Sequence, residues 1–242
     1  MTLRIAAWSG PRNISTAMLR AWGNRPDTFV TDEPLYAHYL LNTGVQHPGR
    51  DDVLAAQDND WRRVVAWLRG PIPGGRTIWY QKHMAHHLLG HIDRVWLDTF
   101  THCFLIREPR EMLTSLVKNL PNPTIYDTGL PQQLELVRLV RTKTGQTPPI
   151  VDARDVLENP RGMLTALCQA IGVSFTEAML SWPPGQRETD GVWAPHWYAA
   201  VERSTGFEPY RAKGEAVPNG LIPLLAECER LYRELAAQKL TP

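Results

Sequence analysis

Residues 4–16 read Arg4-Ile5-Ala6-Ala7-Trp8-Ser9-Gly10-Pro11-Arg12-Asn13-Ile14-Ser15-Thr16. The first part, 4–8, is mostly apolar and predicts a buried strand. Further along, apolar side chains recur at positions 14, 17, 18, 21 and 22, a spacing that predicts an amphipathic helix. The turn between them lies at a helix N-terminus, where unpaired backbone N–H groups and the positive end of the helix dipole favour an anion.

The turn also carries side chains suited to an anion. Arg12 offers a fixed fork of donors, and Ser15 and Thr16 place hydroxyls at the start of the helix. Gly10 permits an unusual backbone angle in the turn. The alternative is an ordinary strand–turn–helix connection with a hydroxyl cap. We predict that the whole loop contacts a phosphate-like anion, through Gly10, Pro11, Arg12, Asn13, Ile14, Ser15 and Thr16.

A nucleoside-triphosphate loop fits this stretch poorly. The pattern G-x-x-x-x-G-K-[ST] requires a lysine before the hydroxyl residue, whereas Ile14 precedes Ser15. The magnesium-binding aspartate expected at the end of a neighbouring strand is also not apparent, because the apolar run 102–106 ends in Arg107. A nucleotide-dependent kinase therefore stays only as an alternative.

The rest of the chain alternates strands with helices. Five short apolar runs, 4–8, 28–31, 77–81, 102–106 and 149–152, predict strands. Helical periodicity follows in four segments, 14–22, 112–120, 163–171 and 221–235. This alternation predicts an α/β fold with a central parallel sheet of about five strands flanked by helices. We expect residues 1–242 to form one domain, with the Trp-, Pro- and His-rich segment 181–220 as a lid or loop region.

Composition narrows the classes of partner. The formal net charge is +1, so a basic stripe for nucleic acid is not expected. Three scattered cysteines without a C-x-x-C pair indicate reduced thiols, which favours a cytoplasmic protein without a zinc site. No signal core and no apolar stretch of about 20 residues is found, so no membrane partner is expected. A homodimer is compatible with these features.

A second anion site is predicted after the fourth strand. Arg107 ends this strand, and Pro109 suits the first position of a helix. Ser115 lies close to two helical turns further on, so Arg107 and Ser115 can point into one space. This is the carboxyl edge of the sheet, where α/β proteins bind ligands. The alternative is an arginine that pairs with Glu111 or Glu108.

At this point the sequence resembles the P-loop-type sulfotransferases, which use 3′-phosphoadenosine 5′-phosphosulfate (PAPS). Residues 11–16 are similar to the family's loop for the 5′-phosphosulfate, and Arg107 with Ser115 matches its 3′-phosphate motif. Residues 152–160 and 167–173 resemble a third family segment. The resemblance implies a P-loop NTPase-like three-layer fold and PAPS as co-substrate. Residues 211–214 are loosely similar to a basic C-terminal loop, which adds Arg211 and Lys213 to the predicted donor contacts.

The resemblance also implies residues on the acceptor side. Lys82 matches a lysine that stabilises the leaving group, whereas the family's histidine position holds Met84. His83, His86 or His87 could act as the base instead, and Glu33 is a second candidate because some bacterial members are thought to use a carboxylate in this region. The alternatives are packing histidines, a helix cap at Asp32, and a metal pair at His83 and His87 on one helical face.

The predicted function is transfer of a sulfuryl group from PAPS to a hydroxyl or amine of a small molecule. The predicted catalytic residues are Arg12, Glu33, Lys82, His83 and His86. No metal is required if cationic side chains neutralise the leaving phosphate. Aromatic residues in 181–220 would suit a planar or apolar acceptor, or alternatively pack as a satellite core. A non-catalytic nucleotide-binding protein of the same fold is the other alternative.

Overall fold

A computed structural model of the chain describes residues 2–212 and 214–242. Five strands form one sheet in the order β2-β3-β1-β4-β5. Their bounds are β1 Leu3–Ser9, β2 Thr28–Asp32, β3 Ile78–Met84, β4 Thr101–Ile106 and β5 Ile150–Asp152. β2 pairs with β3 in parallel, and β4 pairs with β5 in parallel. The predicted α/β fold with a five-stranded parallel sheet flanked by helices is confirmed.

The α-helices follow the strands along the chain. In order they are α1 Ser15–Gly23, α2 Tyr36–Thr43, α3 Arg50–Ala56, α4 Trp61–Leu68, α5 Pro109–Leu116, α6 Leu130–Thr144, α7 Ala153–Glu158, α8 Pro160–Ile171, α9 Ala194–Trp197, α10 Ala199–Arg203 and α11 Ile222–Ala236. Short 3₁₀ turns occupy Pro73–Gly75, Ala85–His87, Val95–Thr99, Tyr126–Thr128, Glu177–Leu180 and Asn219–Leu221. No helix in the described part of the chain has the length and apolar character needed to cross a membrane.

The chain divides into two compact units, each assembled from three separate stretches. Unit 1 comprises Met1–Ala7, Thr16–Thr101 and Thr176–Gly206. Unit 2 comprises Trp8–Ser15, His102–Phe175 and Phe207–Pro242. The prediction that residues 1–242 form one domain stays a prediction.

Unit 1 contains an aromatic core that joins the predicted lid region to α2. Buried Trp193, Ala194 and Tyr198 pack with Tyr36, Tyr39 and other apolar residues of α2 and α3. A buried ion pair ties the same region to α1, because the carboxylate of Asp190 accepts two hydrogen bonds from the Arg20 guanidinium at 2.5 and 2.7 Å. The segment 181–206 therefore contributes packed core, as the satellite-core alternative predicted, and two short helices, which the sequence did not predict.

Unit 2 is built around α5, α6 and α11. Helix α11 packs against both α5 and α6, and the Tyr232 hydroxyl on α11 donates to the carboxylate of Asp152 at the end of β5. All three cysteines belong to this unit and are buried thiols, Cys103, Cys168 and Cys228. Burial and the neighbouring Cys168 raise the pKa of Cys103 to about 12.

Several predicted boundaries are confirmed, and one is wrong in a way that affects the site. Pro160 opens α8, and Gly172 closes it in the left-handed region at φ 79°. The third strand, however, was predicted over 77–81 and runs to Met84, so Lys82 and His83 lie inside it. The polar residues after Gln81 suggested that the strand had ended. They continue it instead, because every residue of the strand is buried and the polar side chains form hydrogen bonds within the protein.

Five more helices and the position of the histidines were also missed. Helices α2, α3, α4, α6 and α7 were not predicted, although Leu130, Leu134 and Val137 of α6 recur at helical spacing and are buried. His83 and His87 do not share a helical face as the metal alternative assumed. His83 lies in β3, whereas His87 ends the 3₁₀ turn Ala85–His87.

Candidate functional site

The loop of unit 2 brings together the predicted anion-binding arginines and serine. Arg12 Nε donates to Ser115 Oγ at 2.9 Å, and Arg107 Nη1 donates to the Arg12 carbonyl at 2.5 Å. Partial burial, and secondarily the nearby positive charge of Arg107, lower the pKa of Arg12. Two guanidinium groups and a hydroxyl thus lie side by side, an arrangement that a bound phosphate or sulfate would stabilise.

The backbone of Arg12 is strained. Its φ is 54°, and the only other residue besides glycine with a positive φ in the described chain is Glu33, at 40°. Such conformations cost on the order of 1–3 kcal/mol and cluster at functional sites. Both residues were predicted from the sequence as catalytic candidates, so the strain supports the choice of these two positions on independent grounds.

Asn13 holds the loop in place from inside. Its side-chain Nδ2 donates to the carbonyl of Leu105 in β4 at 3.0 Å, and its Oδ1 accepts from the backbone N–H of Ile14 at 2.8 Å. The Ile14 N–H is therefore engaged within the protein. Ser15, which is buried, and Thr16 form the first turn of α1 as predicted.

Arg107 makes the pairing with Glu111 that the alternative predicted, and its binding of a phosphate stays a prediction. Besides reaching Arg12, its guanidinium pairs with Glu111, with Nη2 to Oε2 at 3.0 Å. Tyr210 donates to the other oxygen of Glu111 at 2.6 Å. Arg211 is exposed in the same unit, and the predicted contact Lys213 lies outside the described residues. Glu111 therefore accepts hydrogen bonds on both oxygens and balances the charge of Arg107.

Gly10 was predicted to take an unusual backbone angle, and this is wrong, because its φ does not lie in the left-handed region. A different constraint requires glycine here. A Cβ at position 10 would lie 2.4 Å from the Thr128 carbonyl oxygen, a backbone atom that cannot move aside easily. The loop approaches the turn before α6 so closely that no side chain fits.

Replacing Gly10 with alanine is expected to lower the free energy of unfolding by about 2 kcal/mol, because the added methyl group overpacks against the Thr128 carbonyl. Chemical denaturation measures this change. Gly220→Ala is the matched control in the same unit, since a Cβ there meets no atom within 4 Å. Equal stability of the two variants would contradict the close approach.

Unit 1 holds a second constellation, a buried lysine shared by two carboxylates. Lys82 Nζ lies 2.8 Å from each of Asp32 Oδ1, Glu33 Oε1 and the Tyr198 hydroxyl. The parallel register of β2 and β3 places Asp32 opposite Lys82. All three ammonium hydrogens are thereby used. Burial alone would lower the pKa of Lys82, but the charges of Asp32 and Glu33 outweigh it and raise the pKa well above its usual value.

Glu33 shares the charge of Lys82 with Asp32. It follows β2, and α2 begins only at Tyr36, so Asp32 is not a helix cap as the alternative assumed. Burial raises the pKa of Glu33, and the charge of Asp32 adds to this, although Lys82 opposes it. Two carboxylates share one ammonium, so the cluster carries one excess negative charge that its environment destabilises. A carboxylate in this state accepts a proton readily.

The three histidines near the end of β3 differ in surroundings. His83 is buried, with Nε2 3.3 Å from Gln81 Oε1, and His86 is buried and packs edge-on against Tyr39. His87 lies closest to the carboxylate cluster, with Nδ1 3.9 Å from Glu33 Oε2. Burial lowers the pKa of His87 well below its usual value, and the neighbouring His86, His47, Lys82 and His83 lower it further. It is therefore neutral near pH 7.

Sequence reasoning missed Tyr198 as part of this cluster. Its hydroxyl accepts from Lys82 and from Trp193 Nε1, at 2.8 and 3.0 Å, and donates to Asp32. Burial and the charge of Asp32 raise the pKa of Tyr198 well above its usual value. The only sequence signal was the aromatic composition of 181–220, which does not single out one tyrosine.

Comparison with known proteins gives a consistent result. The family described as sulfotransferase domain matches residues 3–232. Two proteins of Arabidopsis thaliana, named branched-chain-amino-acid aminotransferase-like proteins 2 and 1, are each 33% identical over 232 residues, or 96% of this chain. The chain spans 41% of the length of each of these curated relatives.

Solved structures share the fold at low sequence identity. They include the sulfotransferase domain from the curacin biosynthetic pathway, with TM-score 0.57 and 16% identity over 100% of this chain and 99% of that one. The sulfotransferase domain of the Synechococcus PCC 7002 olefin synthase gives 0.57 and 18%, covering 99% and 96%. A sulfotransferase from Alicyclobacillus acidocaldarius gives 0.55 and 10%, covering 99% and 98%. From the match over residues 3–232, this chain belongs to the sulfotransferase domain family.

Proposed function

We propose that the chain transfers a sulfuryl group from PAPS to a hydroxyl or amine of a small molecule, in line and without a metal. The observation that carries the proposal is the cluster of Arg12, Arg107 and Ser115, which joins two guanidinium groups and a hydroxyl in one place. A nucleotide with phosphates at both the 3′ and 5′ positions offers the charges that such a cluster neutralises. The helix start at Ser15 and Thr16 adds backbone donors for the same anion.

The donor contacts are assigned as follows. Arg12, Ser15 and Thr16 would bind the 5′-phosphosulfate, with Asn13 fixing the loop shape through its bonds to Leu105 and Ile14. Arg107 and Ser115 would bind the 3′-phosphate. The donor contacts predicted at Pro11, Ile14, Arg211 and Lys213 remain part of the proposal, as do His83 and His86 as candidate bases.

On the acceptor side we assign Glu33 as the base. Its carboxylate carries the excess negative charge of the Asp32–Glu33–Lys82 cluster, and its pKa is raised toward the range in which a base is effective. Lys82 keeps the proposed role of stabilising the leaving oxygen. This role requires the exchange of one of its three hydrogen bonds, and the bond to the neutral Tyr198 is the one whose loss costs the least charge stabilisation.

The decisive experiment measures binding of 3′-phosphoadenosine 5′-phosphate (PAP), the donor's product, by calorimetry in the presence of a metal chelator. Turnover of labelled PAPS is then followed with water and with a panel of alcohols, phenols and amines. Metal-independent binding together with label transfer is expected. If the protein hydrolysed nucleoside triphosphates with magnesium but did not bind PAP, the kinase alternative would replace this proposal.

A non-catalytic nucleotide-binding role is the second candidate, and one observation favours it. Asn13 engages the Ile14 N–H, so one backbone donor of the loop is not available to the sulfuryl group. The names of the curated relatives, which refer to aminotransferase-like proteins, also leave room for a divergent member. PAP binding without any PAPS turnover would establish this role.

Exchanging Glu33 for glutamine is expected to abolish transfer while slightly stabilising the protein. The base contributes about 10²–10⁴-fold to the rate. The pKa of Glu33 is raised in the folded state, so its ionised carboxylate destabilises the fold near neutral pH. This loss of stability disappears as the pH falls through the folded-state pKa toward the unfolded-state pKa, and glutamine removes it at every pH. Activity assays and thermal unfolding check the two halves. An active Glu33→Gln protein would exclude Glu33 as the base.

A further inference from the structure

A gap between two polar atoms lies beside the carboxylate cluster of unit 1. Glu33 Oε1 accepts from Lys82, whereas Oε2 lies 3.9 Å from His87 Nδ1, which is too far for a hydrogen bond. Among the described residues, His87 Nδ1 has no hydrogen-bond partner, although the side chain is only 3% exposed. A buried polar atom without a partner costs about 1–3 kcal/mol and therefore calls for an explanation.

Two stacking contacts hold the ring of His87 in one plane. It stacks on Tyr36 at 4.7 Å with an interplanar angle of 4°, and on Tyr39 at 4.6 Å and 27°. The Tyr36 hydroxyl is itself fixed by His47 Nδ1 at 2.8 Å. The imidazole is thus sandwiched between two tyrosine rings, and this stacking fixes the plane of the ring, within which Nδ1 lies 3.9 Å from Glu33 Oε2.

The gap has the dimensions of one bridging atom. An oxygen placed about 2.8 Å from both Glu33 Oε2 and His87 Nδ1 would close a triangle on the 3.9 Å edge, with hydrogen bonds of normal length. A hydroxyl group suits the two partners, because it donates its proton to a carboxylate and accepts from an imidazole N–H. The Glu33 side chain retains 12% exposure, so the carboxylate cluster is not closed off completely.

We propose that Glu33 Oε2 and His87 Nδ1 together form the binding subsite for the acceptor's hydroxyl group. This inference rests on the proposed function and narrows it in two ways. It selects His87 from the three neighbouring histidines, and it selects hydroxyl compounds over amines. An amine must be neutral to attack, and its single lone pair then forms the new bond to sulfur, so it cannot also accept from Nδ1–H as a hydroxyl oxygen with two lone pairs can. A carboxylate acceptor would be repelled by Glu33.

The step that this subsite supports is balanced within the donor and acceptor. The acceptor oxygen forms the new S–O bond with one of its lone pairs while the S–O bond to the nucleotide breaks. The electron pair of the broken bond leaves with PAP. The acceptor's proton passes to Glu33 Oε2. His87 remains neutral and holds the attacking oxygen through Nδ1–H, so it is a binding residue whose loss is felt in the alignment of the acceptor.

Three substitutions at position 87 separate the hydrogen bond from the stacking. His87→Asn places an amide near the position of Nδ1, His87→Gln places it near Nε2, and His87→Phe keeps a ring between Tyr36 and Tyr39 without any polar atom. PAPS turnover is measured with water and with 4-nitrophenol, and binding of 4-nitrophenol is measured by calorimetry with PAP present. Thermal unfolding and PAP affinity serve as controls for folding and for the donor site.

We expect His87→Asn to retain turnover within about fivefold, and His87→Phe and His87→Gln to lose about 10- to 100-fold, with 4-nitrophenol affinity falling in the same order. PAP affinity stays unchanged in all three. Equal or higher activity of His87→Phe than of His87→Asn would show that only stacking matters and would overturn the subsite. Amines used in preference to hydroxyl compounds by the unaltered protein would overturn it as well. An unaltered protein that does not bind PAP would instead refute the proposed function.

Discussion

Replacing Arg12 with alanine is expected to weaken PAP binding about 100-fold, or about 3 kcal/mol. The guanidinium of Arg12 bonds Ser115 and lies beside Arg107, so it is the centre of the cluster that we assign to the donor. Arg12→Lys keeps the charge but loses the planar fork, and we expect an intermediate loss of about tenfold. Calorimetry with PAP, at several salt concentrations, measures both changes.

Arg110→Ala is the control for this experiment. Arg110 lies on α5, the helix that carries Ser115, but its side chain is 50% exposed and lies 3.8 Å from Glu229. We expect its PAP affinity to match that of the unaltered protein. Thermal unfolding must show that Arg12→Ala is folded, since this arginine also bonds within the protein. A folded Arg12→Ala variant with unaltered PAP affinity would contradict the donor assignment of the whole cluster.

Replacing Lys82 with methionine is expected to destabilise the protein by about 3–5 kcal/mol, which corresponds to a loss of about 10 °C in melting temperature. The substitution leaves Asp32 and Glu33 buried without their shared counter-ion. A triple variant, which combines Lys82→Met with Asp32→Asn and Glu33→Gln, should recover most of the lost stability, because no buried charge then remains uncompensated. Chemical denaturation near neutral pH measures the three free energies.

The pH dependence gives this prediction a second check. In the native protein the positive charge of Lys82 lowers the pKa of Glu33. Without Lys82 this effect is gone, and the already raised pKa of Glu33 rises further. A raised folded-state pKa means that stability is recovered as the pH falls toward the unfolded value, so the deficit of Lys82→Met should shrink at about pH 5. Lys118→Met is the control, since this lysine is 58% exposed and pairs with Glu215 at the surface. A loss below about 1 kcal/mol for Lys82→Met would show that the buried pair is not essential.

The sequence predicted those parts of the site that depend on local spacing. Arg107 and Ser115 lie on one strand–helix connection, so counting helical turns predicted that they face one space, and each of them contacts Arg12. Arg12 lies in the loop that the first strand and helix define. Each of these two placements depends on a short stretch of chain, where helix and strand geometry applies. The hydrogen bond that joins Arg12 to Ser115 spans 103 residues and was not predicted.

Long-range neighbours were not predictable in the same way. The contact of Tyr198 with Lys82 spans 116 residues, and it depends on how 181–206 packs on the aromatic core of unit 1. The pairing of Asp32 with Lys82 depends on the register of two parallel strands, for which the sequence carries no marker. His87 could not be separated from His83 and His86, because the choice depends on a 3₁₀ turn after a strand longer than predicted.

The three cysteines give the molecule a built-in reporter of opening. Each is buried in unit 2, and unit 1 contains none. Burial raises the pKa of Cys103 to about 12 and that of Cys228 to about 11, so little thiolate is present in the folded state near neutral pH. A thiol-reactive label therefore modifies the native chain only at the rate at which unit 2 opens. The rate of labelling therefore reports the opening of unit 2, which carries Arg12, Arg107 and Ser115. It does not report the opening of unit 1, which carries Glu33 and Lys82.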